Sequence, residues 1–147
     1  MLQVEAETTI ARPREEVFEY LSHAEHLPDY VTDFAWVRQD SEGQPAQGTR
    51  YSYEMKRGHT KGTFDWTEFA PHRLAWHGPP AKAGLGSMEP AGWWDLADEG
   101  AGTRVKLVMT PEPGGLFKLM APLMSGSMRK GNARALERLK QRLEGDQ

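Results

Sequence analysis

Hydrophobic and polar residues alternate with a period of two near the start of this chain, and the period changes before the end. Val4, Ala6, Thr8 and Ile10 oppose Gln3, Glu5, Glu7 and Thr9, which predicts a half-buried strand over residues 2–10. Arg12-Pro13-Arg14-Glu15-Glu16-Val17 reads as a helix start, with Pro13 near the first turn and two acids facing the positive end of the helix dipole. Val17, Phe18 and Leu21 form one apolar stripe, and a second short helical piece over 23–30 is expected to be interrupted around Pro28. From Phe34 the period of two returns. Trp36, then Tyr51, Tyr53 and Met55, then Phe64 and Trp66, then Leu74 and Trp76 each alternate with polar neighbours between turn-forming segments. Residues 88–96 read as a further strand, and Val105, Leu107 and Met109 mark the last one. Such spacing implies an antiparallel meander joined by hairpins. Residues 78–86, with Pro79, Pro80 and Gly84, read as a loop at one rim of the sheet.

After Pro111 and Pro113 the period lengthens. Leu116, Leu119, Met120, Leu123, Met124, Met128, Ala135, Leu136, Leu139 and Leu143 recur at intervals of three and four, which predicts a C-terminal helix. Pro122 and Gly126 are expected to loosen its first half, leaving 128–143 regular. The element order is therefore strand, two short helices, a long meander and one long helix.

Composition narrows the function classes. The chain has 147 residues, 38% of them hydrophobic and 10% aromatic, which suits one folded domain spanning 1–147. It contains no Cys, which removes disulfides, thiolate metal sites and cysteine nucleophiles. The net charge of −3 argues against a nucleic-acid partner. No apolar run approaches the roughly 20 residues of a membrane helix, and the N-terminus lacks the pattern of a secretory signal. A cytoplasmic protein without integral membrane association is expected. The charge is unevenly placed: six basic and three acidic residues lie from Ser127 onward, in a chain that is acidic elsewhere.

The segments Thr9-Ile10-Ala11-Arg12-Pro13-Arg14-Glu15-Glu16-Val17-Phe18, Gln47-Gly48-Thr49-Arg50, Thr67-Glu68-Phe69-Ala70-Pro71-His72-Arg73-Leu74, Gly102-Thr103-Arg104-Val105 and Ala135-Leu136-Glu137-Arg138-Leu139-Lys140 span nearly the whole chain. In this order they resemble the START and birch-pollen-allergen superfamily (SRPBCC), and within it the bacterial polyketide cyclase/dehydrase-like branch. The resemblance implies an α+β helix-grip fold, a curved antiparallel sheet wrapped around the C-terminal helix, with a ligand cavity between the two. These segments mark the fold rather than a chemistry, because the superfamily hosts many activities.

Mapped onto that fold, the alternation assigns Tyr51, Tyr53, Phe64, Trp66, Trp76, Trp94 and Leu107 to the concave face, with Leu74, Leu96, Val105 and Met109, and Met120 and Met124 to the helix wall above it. Rings with polar tips and adaptable thioethers fit the binding of an aromatic, polyketide-like or lipid-like molecule. Two further readings are a cyclase/dehydrase-type enzyme and a protein-interaction module like the superfamily's chaperone-activating or ubiquinone-associated members. For proton transfer the candidates are His77, beside the Pro-Gly loop, and Tyr51. Glu68 shares the parity of Trp66, which makes it a candidate for the cavity mouth, but it lies near the strand end, where an exposed or turn-stabilising role is the favoured reading; Glu54, Asp65 and Asp95 are expected to face solvent. His23 and His26 are three apart but have no third ligand near them, so neither a metal nor another cofactor is expected. Gly84-Leu85-Gly86 and Gly100-Ala101-Gly102 do not open a helix after a strand, and no nucleophile elbow is present.

Overall fold

In the computed structural model, which describes residues 2–145, the chain forms a seven-stranded antiparallel sheet gripping a long helix. β1 (Val4–Ile10) leads through α1 (Arg14–Ser22), a 3₁₀ turn (Ala24–His26) and α2 (Leu27–Tyr30) into β2 (Phe34–Gln39), β3 (Arg50–Met55), β4 (Lys61–Ala70) and β5 (Arg73–His77). After β6 (Ala81–Ala83) and β7 (Gly86–Glu89) come β8 (Ala91–Glu99), β9 (Gly102–Met109), β10 (Glu112–Gly115) and α3 (Leu116–Gly145). The large sheet has the order β1-β9-β8-β5-β4-β3-β2, so the N-terminal strand closes one edge by pairing with β9.

The structure corrects the expected layout in several places. Residues 78–86 are not simply a loop: β6 and β7 form a hairpin, and β10 joins it as a second sheet of order β10-β7-β6. Gly84 lies at that hairpin's tip with φ +63°, the left-handed backbone a tight turn demands. The expected strand over 88–96 is split at Pro90, which has no N–H to continue a ladder, so its first residues belong to the small sheet. The helix does not begin directly after Pro113, because residues 112–115 pair with β7 first. Pro28 does not interrupt a helix but lies in the first turn of α2, where its missing N–H costs nothing.

A β-bulge between Trp66 and Glu68 decides between the two readings of Glu68 in favour of the exposed one. The extra residue reverses the parity of β4, so Glu68 is exposed beside Arg73 and Phe69 turns inward against Phe18. The core lies between the concave face and one half of α3. Tyr51, Phe64, Trp66, Leu74, Trp94, Leu96, Val105 and Leu107 form one buried cluster with Val17, Leu21, Leu136 and Leu139.

α3 runs unbroken through Pro122, but its two halves have different surroundings. Its buried residues are Asn132, Ala135, Leu136 and Leu139. Its C-terminal end is latched to the β1–α1 connection: Lys140 Nζ donates to Thr9 O (2.6 Å), Arg12 Nε to Leu143 O (2.8 Å) and Ala11 N to Glu144 Oε2 (2.7 Å). The first two turns instead expose Leu116, Leu119, Met120 and Leu123.

Candidate functional site

The concave face carries the aromatic residues at alternate positions, as their period of two requires. Tyr51 stacks on Phe64 with centroids 5.3 Å apart, and Trp66 meets both rings edge-on at 6.0 Å. Tyr30 closes on Trp94 at 6.2 Å from α2. Tyr51 is 0% exposed, so no water-sized void adjoins it. Its hydroxyl donates to the carbonyl of Ser22 (3.0 Å), which also accepts from Trp66 Nε1 (3.2 Å). That carbonyl belongs to the last residue of α1 and has no helical partner, so two sheet side chains satisfy it in the core.

The other end of the concave face is looser. There Trp76 and Met109 are half-buried, together with Phe34 and Met55. Met109 and Gly92 pair across β8 and β9, and Trp76 lies over Gly92: a Cβ there would sit 2.6 Å from the indole ring. β6, β7 and β10 continue from the strand ends on this side, and the first half of α3 rests against β7 and β10. Met124 is half-buried, whereas Met120 lies toward solvent. The site residues expected from the sequence thus divide. Tyr51, Tyr53, Phe64, Trp66, Trp94 and Leu107 come together in the closed end, while Trp76 and Met124 belong to the looser one.

The two proton-transfer candidates are not brought together. His77 alternates away from Leu74 and Trp76 onto the outer face, where its Nε2 meets Glu89 at 2.7 Å and its side chain is half exposed. Tyr51 faces inward with its hydroxyl proton committed to Ser22, and burial raises its pKa above the ordinary phenolic value. Tyr53 is shifted upward for the same reason.

Asn132, which the alternation did not single out, lies on the inward face of α3. It is 7% exposed, and its Nδ2 has no hydrogen-bond partner. An unpaired buried amide costs about 1–3 kcal/mol, so it marks either a strain in the fold or a contact made by something else. The signal that could reveal it is a polar residue at the i+4 position from Met128 in the inward apolar series.

A cleft of about 890 Å³ opens outside the grip between α1 and the end of α3, lined by Arg12, Glu15, Glu16, Glu19, Tyr20, His23, His26 and Leu143. The Tyr20 and His26 rings stack 4.1 Å apart, and His26 Nδ1 lies 2.9 Å from the carbonyl of Tyr20. A carbonyl only accepts, so Nδ1 carries the proton and Nε2 keeps its lone pair when the ring is neutral. Burial, helped by Asp29, pushes the Tyr20 hydroxyl up to about 12. His23 reaches back to Glu19 at 3.0 Å, so the two imidazoles have different partners. Among the described residues no group of three or more His, Asp or Glu is placed to hold a metal ion.

A curved antiparallel sheet closed on a C-terminal helix, with its rings on the concave side, is the helix-grip architecture. The sequence matches the family described as polyketide cyclase / dehydrase and lipid transport over residues 1–144, and the chain belongs to that family. Among solved structures it is similar to a protein of Thermus thermophilus, with a TM-score of 0.76, 22% identity and 99% of each chain covered. It is also similar to the Zhui aromatase/cyclase of a Streptomyces species, with a TM-score of 0.65, 18% identity and 95% and 94% of the two chains covered. A third is the Aha1 dimer of Colwellia psychrerythraea, with a TM-score of 0.67, 17% identity and 98% and 97% covered. At these identities the likeness is one of fold. None of the curated proteins matches the sequence.

Proposed function

We propose that this protein binds a hydrophobic small molecule of aromatic, polyketide-like or lipid-like character between the concave face and α3, and that the ligand carries an oxygen acceptor. The observation that carries this reading is the unpartnered Nδ2 of Asn132, buried on the helix face that closes an apolar and aromatic core. A ligand oxygen would satisfy it, and the apolar remainder would replace the loose packing around Trp76 and Met109. The ligand enters at this looser end, because the first half of α3 contributes nothing to the buried core and can move aside without breaking it. Binding rather than turnover is favoured by the polar groups: Tyr51 is spent on Ser22, and His77 is on the other face.

Calorimetric titration with two probes of equal ring size, naphthalene and naphthol, tests the proposal. The protein is expected to bind both, with naphthol favoured. Asn132→Leu is expected to raise stability by about 1 kcal/mol, since it removes an unsatisfied group, while lowering naphthol affinity about tenfold and leaving naphthalene unchanged. Failure to bind either probe would overturn the carrier reading. Wild-type naphthol affinity in the variant would remove Asn132 from it.

A further inference from the structure

The outer face of α3 changes character along its length. Leu119 and Leu123 are each 81% exposed, one turn apart, and Leu116 and Met120 flank them. Continuing along the same face at helical spacing come Lys130 and Arg134, both exposed. The β6–β7 hairpin extends the apolar end: Leu85 at its tip is 86% exposed, and its carbonyl accepts from Leu116 N at 3.2 Å. The Phe117 ring covers Gly86, where a Cβ would meet it at 2.6 Å, so hairpin and helix start form one corner. From Pro113 to Leu136 the sequence has four cations, Lys118, Arg129, Lys130 and Arg134, and no acid. Lys82 on the hairpin adds another. The nearest acids on the small sheet, Glu89 and Glu112, are paired at its far end from the tip.

From this arrangement we infer that the corner made by Leu85 and the first turns of α3 docks on an anionic phospholipid surface. Protruding aliphatic side chains on a hairpin tip and a convex helix face suit insertion into the boundary between headgroups and acyl chains, to a depth of roughly 5–10 Å. The cations behind them would then meet lipid phosphates, each strengthening attachment about fivefold. A second copy of this chain fits less well, because a two-fold contact over this face would set Lys118, Lys130 and Arg134 against cations of the same kind. Among the described residues the patch also lacks exposed Trp or Tyr, the residues that dominate protein–protein contacts. Docking here would bring the looser end of the grip to the bilayer.

Co-sedimentation of the full chain with vesicles tests this, using phosphatidylcholine alone and the same lipid with phosphatidylglycerol as about a third of the total. Binding to the anionic vesicles is expected to be at least tenfold tighter and to weaken with added salt. Leu119→Asp with Leu123→Asp, and separately Lys130→Glu with Arg134→Glu, are each expected to lower it at least tenfold, with melting temperatures close to wild type because all four side chains are exposed. No binding to either vesicle, or binding that neither double variant weakens, would overturn the inference. So would a wild-type dimer in light scattering that the leucine variant dissociates, which would assign the face to a second copy.

Discussion

The Ser22 carbonyl shows how much of the core depends on single atoms. It accepts from both Tyr51 and Trp66, so removing either donor leaves it satisfied by the other. Tyr51→Phe is expected to cost about 1 kcal/mol and Trp66→Phe about 1–3 kcal/mol, the latter including lost ring contacts. The double variant strands the carbonyl in the core and is expected to exceed the sum of the singles by about 1 kcal/mol. Urea denaturation of the four proteins measures this coupling; strict additivity would mean that one of the two bonds carries no energy. The choice of Tyr over Phe at position 51 was legible in the sequence as a polar tip needing a partner. The identity of that partner was not, because Ser22 lies 29 residues away and joins Tyr51 only when α1 docks.

At the scale of elements, α3 is the informative case. Its hydrophobic period predicts an amphipathic helix whose first half Pro122 and Gly126 would loosen, and the backbone is one helix from Leu116 to Gly145. Burial follows only the second half, between Asn132 and Leu139, whereas the first turns rest on the small β6-β7-β10 sheet and leave Leu119 and Leu123 exposed. Leu139→Ala is therefore expected to cost about 2–5 kcal/mol and Leu119→Ala less than about 0.5 kcal/mol, measured by chemical denaturation. Comparable losses at both positions would contradict a helix anchored at one end. The parity rule succeeded for Tyr51, Tyr53, Phe64, Trp94 and Leu107 because their strands keep register with their neighbours. It failed for Glu68 because the bulge after Trp66 inserts one residue, and alternation carries no memory across such an insertion.

Over the whole molecule, the latch joining α3 to the β1–α1 connection couples chain ends more than 130 residues apart. The bond from Lys140, with that from the Ala11 N–H, holds the Glu144 carboxyl below its ordinary value of 4.5. A carboxylate depressed on folding stabilises above its unfolded pKa, and that contribution is lost as the pH falls through the folded value. Glu144→Gln is therefore expected to lower the melting temperature at pH 7, with the gap to wild type closing in acid below about pH 4. An equal gap at both pH values would show that the carboxylate's charge is not what holds the latch.

Local pattern was enough for the outline of strand, two short helices, meander and long helix, for the inward set of rings and for the resemblance to the helix-grip family, because each depends on periodicity within a few residues. The tertiary structure alone decided what those patterns meet. It paired residues 81–89 with 112–115 into a second sheet, turned Glu68 outward through a bulge and Asn132 inward, and left Leu119 and Leu123 in solvent. Burial is a property of surfaces brought together from distant parts of the chain, and a period along one segment does not say how far its partner extends.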